Sequence, residues 1–232
     1  MAILDKMEQL LRPPELKMVT YPAKSIMLAS GERMVIRQIA RDEVPVVLET
    51  VKPLMDVPRD FYDIVAARMY AECLAYARYR VKNEYIFIGT IGGEIVGIVN
   101  GRMLDEKIGM SYHTITVRQG LRIGAQLFAA KMEYHIDYLN QEEVWIVAES
   151  PNGFKRWMIE YELIPRPEQW HELGGVPTYV LTKELWHKHK RAKCTGRRPI
   201  TEELYNSSLN PKPPAKYPQI PEFVRQQPLL AL

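Results

Sequence analysis

The sequence predicts a single mixed α/β domain in which helices flank a central, mostly antiparallel sheet. The chain has 232 residues, 47% of them hydrophobic and 25% charged, which is enough for one packed core with an appendage. Three apolar runs of strand length follow one another between residues 84 and 117, and runs with helical spacing lie before and after them. This order of elements is typical of one mixed α/β layer, which we expect to occupy residues 32–186.

The chain before these strands predicts an extension, one strand and two helices. We assign residues 1–31 to an N-terminal extension that contains a short amphipathic helix at residues 3–11. Alternating apolar residues predict a strand at residues 33–39. Asp42 and Asp60 are suited to cap the two helices that follow, because an aspartate side chain accepts hydrogen bonds from the first N–H groups of a helix.

The centre of the chain predicts a meander of three strands. The Gly92-Gly93 turn joins apolar runs at residues 84–91 and 94–103, which is a strong signal for a β-hairpin. The third strand, at residues 107–117, ends in a glycine-containing turn. After it we expect, in order, a helix at residues 124–139, a strand at 143–149, a helix at 151–161 and strands at 163–170 and 177–185.

Sparse cysteines and the absence of long apolar runs indicate a cytoplasmic protein. Cys73 lies in an apolar helical run and Cys194 in a basic run, and two such cysteines fit a reducing compartment. The N-terminus lacks the apolar core of a secretory signal, and no stretch reaches the length of a membrane span. His187 and His189 have no supporting ligands nearby in sequence, so we expect no metal.

Residues 117–132, VRQGLRIGAQLFAAKM, pass from the end of a strand through two glycines into a helix. The N-terminus of a helix presents unpaired N–H groups and a partial positive charge, so such a turn is suited to bind an anion. The pattern lacks the three spaced glycines of a dinucleotide site and the Gly-Lys-Ser/Thr of a P-loop. The alternative interpretation is a tight turn that binds no ligand.

In its context the segment ITVRQGLRIGAQLF resembles the acyl-coenzyme A signature of the GCN5-related N-acetyltransferase (GNAT) family. Gln119 takes the place of the signature's Gln/Arg, Gly124 that of its final Gly/Ala, and Arg122 replaces its first glycine. The resemblance extends over residues 33–186, where the element order is similar to the GNAT fold, and it implies acetyl-CoA as cosubstrate. It further implies that the coenzyme is bound by Ile115, Val117, Arg118, Gln119, Gly120, Leu121, Arg122, Ile123, Gly124, Ala125 and Asn152.

The resemblance also implies an amine that attacks a thioester, which requires a base and an acid. His113 is the best substitute for the family's missing strand glutamate, because the usual pKa of histidine lies near neutrality; a histidine bonded within the sheet is the alternative. Glu149 could act as base through a water, and a solvated or helix-capping carboxylate is the alternative. The family's tyrosine acid is replaced by Ile159. Tyr161 is the remaining candidate, although it lies on another face of a regular helix.

These features predict an acetyltransferase that acts on a primary amine of a small molecule or a protein. The alternative is a catalytically inactive GNAT-fold protein that is a binding or structural component of a larger assembly. The arm, residues 187–232, begins with six Lys/Arg in twelve residues and continues with seven of the chain's 17 prolines. Nucleic acid binding is the weaker interpretation, because no aromatic residue is interleaved. We expect the arm to dock on another subunit, in a homo-oligomer or larger assembly, through apolar residues 220–224 and 228–232.

Overall fold

The computed structural model describes Met7 and residues 15–57 and 59–218. In chain order the strands are β1 (Lys24–Met27), β2 (Arg33–Gln38), β3 (Glu84–Ile91), β4 (Glu94–Met103), β5 (Ile108–Thr116), β6 (Glu143–Ile146), β7 (Ile164–Pro165) and β8 (Tyr179–Thr182). The helices are α1 (Val44–Val51), α2 (Tyr62–Ala77), α3 (Ile123–Glu133), α4 (Pro151–Gly153), α5 (Lys183–Lys193) and α6 (Glu202–Ser208). π-helical segments continue α3 over Tyr134–Tyr138 and α4 over Phe154–Ile159.

The described strands form one sheet that is antiparallel except at one pair. Its order is β1-β2-β3-β4-β5-β6-β8-β7, and β5 and β6 run parallel to each other. Helices α1 and α2 pack on one face, and α3 packs on the other. The predicted fold class, a mixed and mostly antiparallel sheet flanked by helices, is therefore confirmed.

Alternation along the strands divides the core between these two faces. In β3, Ile86 and Ile88 pack against α1 and α2, whereas Tyr85 and Phe87 pack against α3. Gly97 in β4 allows α3 to approach closely, since a Cβ there would lie 2.6 Å from Cδ1 of Leu127. The glycine thereby fixes the position of α3 and of the turn that precedes it.

The strands β5 and β6 separate after four paired residues. Their parallel pairing ends at Ser111 and Ile146, while β5 continues to Thr116 paired with β4 alone. The edge of β5 beyond Ser111 therefore faces the chain that follows β6 without a ladder of hydrogen bonds between them. This separation creates the cleft described below.

Four elements differ from the expectation, and one of them is α6, at whose position no helix was predicted. β1 lies within residues 1–31, assigned to the N-terminal extension, and pairs with β2, and the strand expected at residues 177–185 ends at Thr182, immediately before α5 begins. The strand expected at residues 163–170 is reduced to Ile164–Pro165. The helix expected at residues 3–11 lies outside the described residues.

The described part of the C-terminal arm folds back onto its own domain. Arg197 exchanges two backbone hydrogen bonds with Ser25 of β1, at 3.2 and 2.8 Å, and Lys212 bonds to the β3–β4 hairpin. Arg198 donates to both carboxylate oxygens of Glu133, at 3.0 and 2.9 Å. Residues 220–224 and 228–232 lie outside the described residues, so association through them stays a prediction.

Candidate active site

A cleft of about 350 Å³ opens where β5 and β6 separate. One wall is β5 from Ser111 to Thr116, and the other is the chain from Ile146 to Trp157. The turn before α3 closes one end, and the start of α2 borders the cleft as well. Asn152 links these parts, because its Nδ2 donates to Oδ2 of Asp60 at 2.8 Å.

Most of the predicted coenzyme-binding residues line this cleft: Ile115, Arg118, Gln119, Gly120, Arg122, Ile123, Gly124, Ala125 and Asn152. Two do not, and for their side chains the expectation is corrected. Val117 is buried in the core beneath α2, and its N–H donates to the carbonyl of Val96 at 3.0 Å. Leu121 packs against the core on the α3 side.

The turn before α3 has the geometry of an anion site. Gly120 has a φ of +86° and Arg122 a φ of +59°, so Arg122 takes the left-handed conformation that a glycine adopts freely. Arg122 is the N-cap of α3 and provides no side-chain cap, so the first N–H groups of the helix remain available to an anion. The turn therefore accommodates an arginine at position 122, where the GNAT signature has a glycine.

A chain of hydrogen bonds connects the inner part of the cleft to α2. The Nδ1 of His113 lies 2.5 Å from Oε2 of Glu149, and its Nε2 lies 3.0 Å from Oε1 of Glu72. Arg68 donates to the other oxygen of Glu149 at 2.5 Å. Glu149 lines the cleft, whereas His113 is buried behind it and contacts the cleft through Glu149.

The two carboxylates reverse the effect that burial has on His113. Burial alone would lower the pKa of the imidazole, but hydrogen bonds and charges of Glu149 and Glu72 raise it to about 9. Burial raises the pKa of Glu149, and His113 and Arg68 together bring it below the usual value. At neutral pH His113 is therefore an imidazolium that donates to Glu149 and to Glu72. This corrects the expectation that His113 is the free base, and Glu149 is the better candidate.

A buried lysine bonds to two strands behind the hydrogen bonds of His113. Lys131 of α3 donates to the backbone carbonyls of Asn100, Tyr112 and His113 at 3.3, 3.4 and 3.1 Å. Asn100 lies at a bulge in β4, and its Oδ1 accepts the N–H of His113 at 3.1 Å. Burial lowers the pKa of Lys131 to about 7, although Glu149 and Glu72 act in the opposite direction.

Tyr161, the predicted acid, lies in the core. Its side chain is 2% exposed and packs edge to face on Phe128, with ring centroids 5.3 Å apart. Burial raises the pKa of its hydroxyl above the usual value, and Tyr161 does not line the described cleft. The structure therefore corrects this assignment, and we give Tyr161 no part in proton transfer.

Sequence reasoning missed Arg68 and Glu72. Both lie on α2, four residues apart, so they share one helix face, and Arg68 reaches Glu149 while Glu72 reaches His113. Charged residues at this spacing inside an apolar helical run were the available signal, but the run alone does not show which strand they meet. Glu72 also accepts from Nδ2 of Asn100 at 2.5 Å, which ties it to the β4 bulge.

Within the part of the chain that the structure describes, no group of His, Cys, Asp or Glu side chains could hold a metal ion. In the same residues, none of the helices combines the length and the apolar character needed to cross a membrane.

Comparisons with known proteins find similar solved structures but no match at the level of sequence families. No family model matches the chain, and no curated protein matches it. An uncharacterized protein from Bacillus halodurans superposes with a TM-score of 0.53 at 9% identity, over 75% of this chain and 96% of that chain. A putative acetyltransferase from T. thermophilus gives 0.48 at 14% identity, over 75% and 96%. Spermidine N-acetyltransferase from Vibrio cholerae, solved with CoA and spermine, gives 0.47 at 14% identity, over 66% and 98%.

The likeness to the Bacillus halodurans protein covers 75% of this chain and concerns the fold alone. The order of helices and strands over residues 33–186, with a helix between β5 and β6 and the parallel pairing of these two strands, agrees with the element order on which the sequence resemblance depends. The chain therefore has the fold of the GCN5-related N-acetyltransferases.

Proposed function

We propose that this protein transfers an acetyl group from acetyl-CoA to a primary amine of an acceptor, either a small molecule or a protein. One observation carries the proposal: the uncapped N-terminus of α3 and the carboxylate of Glu149 open onto the same cleft. The first is an anion site and the second is a proton acceptor, and an acetyl transfer to an amine needs both.

The donor set of the cleft fits a diphosphate-bearing coenzyme. Gly120, Gly124 and the N–H groups at the start of α3 would hold its phosphates, with Arg118 and Arg122 adding positive charge. Gly124 leaves space beside β5, because a Cβ at this position would lie 3.2 Å from Cγ2 of Thr116. The remaining length of the cleft, between β5 and the chain after β6, would hold the acyl-bearing arm.

Acetyl-CoA supplies the thioester whose carbonyl carbon the amine attacks. Glu149 accepts a proton from the incoming ammonium group, directly or through a water. His113 and Arg68 donate to the two oxygens of Glu149 and hold its carboxylate at the cleft, where water takes up the proton. As the C–N bond forms and the C–S bond breaks, nitrogen gives up two protons in all. One reaches solvent and the other ends on sulfur.

Calorimetry with CoA tests the coenzyme site. The intact protein should bind CoA, and Gly124→Trp should abolish binding because the indole fills the space beside Thr116. Glu106→Trp, in the exposed turn between β4 and β5, is the matched control and should bind as the intact protein does. Thermal midpoints of the three proteins show whether each is folded. Equal binding by the intact protein and a folded Gly124→Trp would contradict the proposed site.

Turnover is tested separately by release of the CoA thiol from acetyl-CoA in the presence of a panel of primary amines. Release that depends on the amine and disappears in Gly124→Trp would support the acetyltransferase. CoA binding without release for any amine of the panel would favour the non-catalytic alternative.

A further inference from the structure

One arginine of the cleft is already paired with a carboxylate of this chain. Arg118 follows β5 and lines the cleft at the turn. Its Nη1 donates to Oε1 of Glu32 at 2.8 Å, and its Nη2 donates to Oε2 at 2.6 Å. Glu32 lies in the turn between β1 and β2, where the hydroxyl of Ser30 donates to it at 2.8 Å. The two residues are 86 positions apart, so the sheet brings them together.

The contact is a two-bond fork between guanidinium and carboxylate. Such a fork has the same geometry that a guanidinium forms with two oxygens of a phosphate. The pairing with Arg118 lowers the pKa of Glu32, and that with Glu32 raises the pKa of Arg118, so both are charged at neutral pH. Glu32 therefore occupies the directions in which Arg118 would bind a phosphate.

The other arginines of the cleft are held differently. Arg156 pairs with Glu160, one turn away on its own helical segment, at 2.8 Å. Arg122 has no ion-pair partner among the residues that the structure describes. Of these three arginines, Arg118 is thus the one whose guanidinium forms two hydrogen bonds with a carboxylate from a distant part of the chain.

We propose that Glu32 competes with the coenzyme for Arg118. Before the coenzyme binds, Glu32 pairs with the Arg118 guanidinium; when the coenzyme binds, one of its phosphates takes the place of the Glu32 carboxylate. The inference rests on the proposed function for the identity of the ligand, CoA. Both side chains are partly exposed, so water screens the pair and the competition is modest. Glu32 then sets the coenzyme affinity without touching the thioester.

Calorimetry on four variants tests this proposal, with CoA and, separately, inorganic pyrophosphate as probes. Glu32→Gln removes the competing charge and should tighten CoA binding about two- to fivefold at low salt, the range that an exposed ion pair supports. Arg118→Ala should weaken binding. In the double variant Glu32→Gln/Arg118→Ala, the glutamine should have no effect. Glu106→Gln, which makes the same change in net charge far from the cleft, should leave the affinity unchanged.

The proposal is overturned if Glu32→Gln weakens CoA binding or leaves it unchanged. It is also overturned if the tightening is the same in the Arg118→Ala background, because the effect would then come from net charge. If the intact protein binds CoA and Gly124→Trp does not, the proposed function is supported whatever the effect of Glu32→Gln. If the intact protein binds no CoA while Glu32→Gln still binds pyrophosphate more tightly, the competitor stands and the choice of coenzyme fails.

Discussion

Replacing Glu133 by glutamine would remove the carboxylate that ties the C-terminal arm to the sheet. Its Oε2 accepts from the hydroxyl of Tyr21 at 2.6 Å and from Nζ of Lys24 at 3.0 Å. Arg198 of the arm donates to both of its oxygens. The carboxylate thus neutralises two cations, one from β1 and one from the arm.

The cost of the substitution follows from how deeply these groups lie. The side chains of Lys24 and Glu133 are 1% and 9% exposed, whereas that of Arg198 is 24% exposed. Removing one partner of a buried ion pair costs about 3–5 kcal/mol, because the other charge is left uncompensated. Arg198 can turn toward water and the glutamine oxygen can still accept a bond. We therefore expect Glu133→Gln to lower the free energy of unfolding by about 3 kcal/mol.

Urea denaturation at pH 7 measures this change, with the tryptophan fluorescence as the signal. Glu162→Gln is the matched control, because Glu162 pairs with Lys188 at the surface and its loss should leave the free energy of unfolding nearly unchanged. Adding Lys24→Met to Glu133→Gln removes the stranded ammonium and should recover part of the loss. A loss below about 1 kcal/mol for Glu133→Gln would refute the reasoning.

The same carboxylate gives a pH dependence with a definite sign. Burial acts to raise the pKa of Glu133, but Arg198, Lys24 and Tyr21 lower it to about 2. The unfolded chain has a glutamate pKa of about 4.3. The contribution to stability is therefore fully present above the unfolded value and is lost as the pH falls toward 2. The difference between the intact protein and Glu133→Gln should shrink over this range, and a constant difference would contradict the assignment.

Two further predictions concern catalysis. Glu149→Gln should lower kcat, measured as thiol release, by about 10²- to 10³-fold and leave the affinity for CoA within about twofold, because the amide cannot accept the proton. An unchanged kcat would exclude Glu149 as base. Tyr161→Phe should change kcat by less than about twofold, measured as thiol release, because its hydroxyl lies in the core; a large loss would restore Tyr161 as acid.

The fold could be predicted from the sequence where local patterns determine it. Two apolar runs joined by Gly92-Gly93 predicted the β3–β4 hairpin, and two glycines before an apolar helix predicted the turn before α3. β1 escaped prediction because four residues are too short a run for alternation to show. Its place in the sheet depends on pairing with β2 and with Arg197, which no local pattern records.

The candidate site, like the fold, could be predicted only where its residues lie close together in sequence. The glycine turn lies within one short segment, so its residues could be named before the structure was known. Glu72 meets His113 across 41 positions of sequence, and only the packing of α2 on the sheet brings them together. The π-helical segment Phe154–Ile159 changes the number of residues per turn, so an angle based on a regular helix could not place Tyr161.

The positive charges in the basic run at the start of the arm pair with acidic residues of the domain that the run covers. Lys188, Lys190 and Lys193 pair with Glu162, Asp137 and Glu160, and Arg198 with Glu133. A surface that binds a phosphate backbone needs cations that are free to exchange counterions for phosphates, and each of these four would first have to leave an acid. The run instead joins the arm to the domain by ion pairs. The positive charges of residues 188–198 join α5 and the start of the arm to the acidic surface formed by the ends of α3 and α4.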